Sequence, residues 1–134
     1  CTIDTETREL AKERIHSIEV LLEVKRVVPA DGSITASLTA SFAGGTAVEY
    51  RFFDSNLQEL PPEIRQTPDR LIVSRPENSV FYDQGWHTLR LPLAEDSANI
   101  NKGKPLLSLI LSHNRHARRG MFVFRYKSII LKTM

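Results

Sequence analysis

The stretch "SITASLTASF" (33–42) alternates without a break: Ile34, Ala36, Leu38, Ala40 and Phe42 share one parity, while Ser33, Thr35, Ser37, Thr39 and Ser41 share the other. Successive side chains of an extended strand point to opposite faces. A period of two therefore specifies a strand with one apolar face for a core and one hydroxyl-rich face for solvent, the pattern of antiparallel sheets. The same period runs through "SIEVLLEVKRVV" (17–28), with Ile18, Val20, Leu22 and Val24 on one face and Glu19, Glu23 and Lys25 on the other. It returns in "TAVEYRFF" (46–53), through Val48, Tyr50 and Phe52, and in "WHTLRLPL" (86–93), through His87, Leu89, Leu91 and Leu93.

Turn chemistry separates these runs. Asp31-Gly32 suits the positive φ values of a tight hairpin, Gly44-Gly45 interrupts the second run, and "DSN" (54–56) ends the third. Three prolines in "LPPEIRQTPDR" (60–70) predict an extended loop, because proline cannot donate to a central ladder. "RLIVS" (70–74) and "SVFY" (79–82) read as short strands and "AEDSANINKGK" (94–104) as a polar loop. "PLLSLILS" (105–112) and "GMFVFRYKSIILK" (120–132) close the chain as a hairpin, and apolar residues on both parities of the last run predict a central strand covered on both sides. Only "DTETRELAKERI" (4–15) reads as helical, with Asp4 or Thr5 as its cap and Leu10, Ala11, Ile15 and Ile18 as a partial stripe. The expected fold is an all-β, jelly-roll-like antiparallel β-sandwich over 17–134, behind a short N-terminal helix or tether over 1–16. A chain of 134 residues, 41% hydrophobic and 25% charged, is one ordinary globular domain on composition.

Charge is distributed unevenly. The last 34 residues hold eight of the eighteen Lys and Arg and none of the sixteen Asp and Glu. Within them "LSHNRHARRG" (111–120) gathers His113, Arg115, His116, Arg118 and Arg119. Arginine forks match phosphate, sulfate and carboxylate groups, and the two histidines gain charge below about pH 6.5, so this loop is the candidate site for a polyanion. Because distant strands interleave in β folds, the alternative is that acids of residues 1–100 neutralise it in space. Metal binding at His113 and His116 is not expected: zinc wants three or four ligands, and the arginines repel a cation. Glu95, Asp96, Asn99 and Asn101 offer oxygen atoms for Ca²⁺, but without the spacing of a dedicated loop. No nucleophile elbow is present and the only cysteine is Cys1, so a small β-fold enzyme is the third reading, and no cofactor is expected. No nucleic-acid-binding motif accompanies the basic residues.

Aromatic residues supply the other candidate. Tyr82 and Trp86 lie together in "FYDQGWH" (81–87), beside Asp83 and Gln84. A Trp at a strand start anchors a core; exposed, the same ring is a platform on which a sugar stacks. Two patterns, "GWHTLRLPL" (85–93) and "LLSLILSHNRHARRGMFVFRYKSIIL" (106–131), resemble carbohydrate-binding and galactose-binding-like jelly-roll accessory modules. Those modules often carry an acidic "Asp-x-Ile" ending where this chain has Lys127-Ser128-Ile129. The resemblance implies a non-catalytic binding module for a glycan or other polyanion, attached to a parent enzyme or a protein partner. A chain opening on Cys1 also resembles a mature bacterial lipoprotein. That implies lipidation of Cys1, membrane contact only through the lipid, a place in the cell envelope or periplasm, and a structural or protein-partner-binding role. The alternative is an arbitrary chain end.

Overall fold

The computed structural model describes residues 2–4, 15–31, 34–55, 59–101, 104–115 and 119–133; for 2–4, 27–31, 114–115, 119–121 and 133 it describes the backbone alone. Among the described residues nine strands form two sheets: β1 (Thr2–Asp4), β2 (Ile15–Asp31), β3 (Ile34–Phe42), β4 (Ala47–Asp54), β5 (Glu63–Gln66), β6 (Arg70–Ser74), β7 (His87–Leu91), β8 (Leu106–Arg115) and β9 (Arg119–Thr133). The larger sheet runs β1-β8-β3-β4-β6-β5 and the smaller β7-β2-β9. All pairs are antiparallel except β4 with β6. The chain is an all-β sandwich.

The alternating patterns fall as their parity requires. Ile18, Val20, Leu22 and Val24 of β2 are fully buried, and face Ala36, Leu38 and Ala40 of β3 in one core cluster with Leu89, Leu91, Leu109 and Leu111. Each fully buried aliphatic side chain contributes on the order of 1.5–3 kcal/mol through water exclusion. On the far side of the larger sheet, Glu49 bridges Arg51, at 2.7 Å, and Arg70, at 2.5 Å.

Connectivity departs from the sequence expectation at both anticipated hairpins. β2 and β3 lie in different sheets, so the Asp31-Gly32 region carries the chain from one sheet to the other rather than back along a neighbour. The β8–β9 connection crosses in the same way, at the same end, where Asp31 pairs with Arg119 and Ile34 with Arg115. Crossing is favoured because β2 and β9, of 17 and 15 residues, make a longer ladder with each other than either could make with the shorter strands.

β9 is an edge strand rather than a central one. Leu21 pairs with Ser128 but Leu22 with Tyr126, so one extra residue, Lys127, is bulged out of the ladder. Before the bulge Phe122, Phe124 and Tyr126 pack on the core; after it Ile129 and Leu131 do. The apolar residues of both parities thus belong to one inner face whose phase slips once.

Smaller departures are local. "EIRQ" inside the proline-rich stretch forms edge strand β5, with prolines outside it. "SVFY" contributes only a bridge between Tyr82 and Val24, preceded by a 3-10 turn over Pro76–Asn78. The polar loop after β7 opens with helix α1 (Leu93–Ser97), pinned by fully buried Leu93. Asp4 lies in β1 and Ile15 begins β2, whereas most of the expected helix, 5–14, lies outside the described residues, as does Cys1.

Leu38→Ala is expected to cost about 2–5 kcal/mol in urea unfolding, because it empties a fully buried site. Ser37→Ala, one residue along and on the other face, is expected to stay within about 0.5 kcal/mol of wild type.

Candidate functional site

The turn before β7 decides where Trp86 goes. Asp83 has φ 58° and Gly85 φ 81°, two left-handed residues within three positions. The Asp83 N–H donates to the Val24 carbonyl at 2.8 Å, and its carboxylate accepts from the Arg26 N–H at 3.2 Å. These bonds hold a non-glycine residue in a conformation that otherwise costs of order 1 kcal/mol or more. The chain then enters β7 with His87 opposite Leu22 on the inner face. Trp86, of opposite parity, falls outside, alongside Glu23. It is 45% exposed, among the most exposed large apolar side chains described.

The outer face of the small sheet is built in rows across β7, β2 and β9. Glu23 and Arg125 pair in one row, with Trp86, just before β7, near Arg125; Thr88, Leu21 and Ser128 form the next, with bulged Lys127 beside them; Arg90, Glu19 and Ile130 form the third. The Arg125 guanidinium carbon and the Lys127 Nζ each stand 5.9 Å from the Trp86 ring centre, at cation–π distance. Beneath them Glu23, only 6% exposed, accepts from Arg125 at 2.9 Å. Glu19 takes Lys132 at 2.9 Å and Arg90 at 3.9 Å. The hydrogen bond and charge of Lys132 hold the Glu19 carboxyl below the usual carboxylate range. Lys25, Arg90, Arg125, Lys127 and Lys132 thus meet only Glu19 and Glu23 among the described residues of this face, and Lys127 has only the indole. Among the described residues the face stays positive after its ion pairs are counted.

Beside β7 this face drops into an open cleft of about 540 Å³ lined by Arg75, Glu77, Asn78, Thr88, Arg90 and Glu95. Its wall is fixed by a buried cluster. Arg75 donates from Nη1 and Nη2 to the two oxygens of Asp96 at 3.0 and 2.5 Å, and the Tyr50 hydroxyl donates to Asp96 Oδ2 at 2.7 Å. Burial, then the Asp96 hydrogen bond, push the Tyr50 phenol above its ordinary range, so it stays a donor. The cluster ties α1 to β4 of the larger sheet. It also removes Asp96 from the set of Ca²⁺ oxygens suggested by the sequence. Asn101 is removed as well: it accepts from the Thr46 N–H at 2.8 Å and donates to the Thr46 carbonyl at 2.7 Å. A Cβ on Gly45 would strike this amide, which explains the glycine there.

The other residues singled out in the sequence are placed elsewhere. Tyr82 is half-buried, with Arg26 4.7 Å from its ring centre and Phe122 at 5.3 Å. His113 turns toward the neighbouring sheet, stacks on Phe124 at 4.3 Å and is hydrogen-bonded to the Tyr126 hydroxyl at 3.1 Å. Burial pushes the Tyr126 phenol up to about 12 and lowers the His113 pKa, so His113 gains its charge at lower pH than the sequence reading supposed. Arg115 and Arg119 are placed by backbone only, in β8 and β9; His116 and Arg118 lie outside the described residues. Arg119 precedes Arg125 by six residues, about 20 Å along β9, so its backbone lies well away from that of Arg125 beside Trp86. The cations at the indole are Arg125 and Lys127, which sequence reasoning did not single out. Their signal was the alternation "FRYK" (124–127) within the acid-free last 34 residues.

Among the described residues no three His, Cys, Asp or Glu side chains gather in a way that could hold a metal, and no helix is long and apolar enough to cross a membrane. No family model, curated protein or solved structure matches the chain.

Arg75→Met is expected to destabilise the protein by about 3–5 kcal/mol, because it leaves the Asp96 carboxylate buried without its partner. Arg75→Met with Asp96→Leu is expected to recover most of that loss in denaturant unfolding. A second expectation concerns His113. Its folded pKa lies below its unfolded one, so the unfolded chain binds the proton more readily and stability falls as pH drops below about 6.5. His113→Phe is expected to flatten the change in Tm between pH 7 and pH 5; an unchanged slope would contradict it.

Proposed function

We propose that this domain is a non-catalytic module that binds an acidic glycan on the outer face of its three-stranded sheet. The observation that carries this reading is Trp86, held outward on a doubly left-handed turn, with two cations against its ring and a surplus of positive charge around it. An indole face takes the C–H side of a sugar ring, burying apolar area that water otherwise covers. Arg125 and Lys127, each 5.9 Å from the ring centre, are placed for the sulfate or carboxylate of that sugar or its neighbour; Arg's planar fork suits either group. Arg90 and Lys132 extend the same charge along the sheet. Holding Asp83 and Gly85 in left-handed backbone serves this function by aiming the ring. The rigidity of the ladder below keeps the ordering cost of binding small.

This reading keeps Trp86 and the ligand class of the sequence expectation, and takes Arg125 and Lys127 in place of the 113–119 residues as its cations. It also separates from a general polyanion site by its dependence on the ring.

The test is titration calorimetry with sulfated and carboxylated oligosaccharides. Trp86→Ala is expected to weaken binding tenfold or more, about 1.4 kcal/mol. Lys127→Ala is expected to weaken it less and to reduce its dependence on salt. Lys127 is the cation to remove, since Arg125→Ala would strand buried Glu23. Affinity unchanged by Trp86→Ala would overturn the proposal.

A further inference from the structure

The cleft beside β7 bears on which acidic glycan fits. We infer, resting on the reading of Trp86 as a sugar platform, that the ligand alternates charged and neutral sugars, and that the cleft seats a neutral one.

Thr88 and Arg90 of β7 share one parity with Trp86, the residue before the strand, so the three follow one another along the outer face at steps of about 6.5–7 Å. Thr88 and Arg90 also line the cleft. A polymer stacked on Trp86 and laid along β7 therefore enters the cleft within about 13 Å, a few sugar units.

The cleft differs from the platform in charge. Both Nη atoms of Arg75 are engaged by Asp96, so its charge is met within the wall. Glu77 and Glu95 are exposed at the rim and form no ion pair among the described residues. Arg90 is the remaining cation of the lining, 3.9 Å from Glu19. Glu77 and Glu95, together with the Thr88 hydroxyl, accept hydrogen bonds from sugar hydroxyls or an amide N–H, and a carboxylate acceptor makes the stronger kind. The same two carboxylates repel a second anion. Platform and cleft thus impose opposite demands at neighbouring positions: an anion at Arg125 and Lys127, and a neutral, donor-rich unit at Glu77 and Glu95. A polymer charged on every sugar satisfies the first only by placing like charge in the second, which is discrimination by repulsion.

The experiment compares two probes of equal length at low ionic strength: an oligosaccharide in which hexuronic acid and N-acetylhexosamine alternate, and an oligo-uronate charged on every sugar. Wild type is expected to prefer the alternating probe by about threefold or more, and added salt to shrink the preference. Glu77→Gln with Glu95→Gln, both at exposed positions, is expected to raise affinity for the oligo-uronate and erase most of the difference. Equal wild-type affinities, or a ratio unmoved by the double variant, would overturn the cleft assignment. If binding in that case still depends on Trp86, the platform stands without it. Failure of both probes to bind would overturn the platform and the inference together.

Discussion

Strand β2 is hydrogen-bonded along both edges and buried along one face, and its register fixes the small sheet. Four fully buried side chains of one parity, from Ile18 to Val24, leave no freedom to slip: a shift of one residue would turn them all to water and bring Glu19 and Glu23 inside. With that parity set, β7 docks in a single register and β9 in one that slips at Lys127, Leu89 and Leu91 go inward, and Thr88 and Arg90 go outward. The Asp83 turn is anchored to the Val24 carbonyl and the Arg26 N–H, so Trp86 inherits its place from the same strand. The outward place of Trp86 thus follows from the ladder and from the turn anchored to it.

The electrostatics follow from the same arrangement. Acids from the first part of the chain and bases from its last 34 residues meet on the outer face, Glu23 with Arg125 and Glu19 with Lys132. Interleaving of distant strands therefore neutralises part of the C-terminal charge. Among the described residues of this face it does not neutralise all of it, because β2 contributes two acids where β7 and β9 contribute four cations and β2 itself adds Lys25. The bulge at Lys127 adds a cation where the ladder alone would have placed none, close to the indole.

Strand identity and facing were legible in the sequence wherever alternation was unbroken, as in 17–24 and 33–40, because one residue per step leaves parity as the only variable. Sheet membership was not. Asp31-Gly32 reads as a turn whether the chain returns along its neighbour or crosses to the other sheet, and that choice is made by the length of the β2–β9 ladder far away in sequence. The phase slip in β9 was hidden for a similar reason: a bulge makes one inner face look like two. Trp86 was read in both possible ways, since a strand start gives no facing until the left-handed turn before it is known; Asp83, not only Gly85, carries that turn. Asp96 and Asn101 looked like ligands because sequence shows side-chain type and not the Arg75, Tyr50 and Thr46 partners that occupy them.

Trp86, the ring that faces water, is the only tryptophan in the chain. Its fluorescence in the free protein, titrated with acrylamide, tests this most directly. A half-exposed indole beside two cations predicts red-shifted emission and efficient quenching in the native state, with binding of an acidic oligosaccharide reducing that quenching. Blue-shifted emission inaccessible to acrylamide until the protein unfolds would place the ring in the core and contradict the platform.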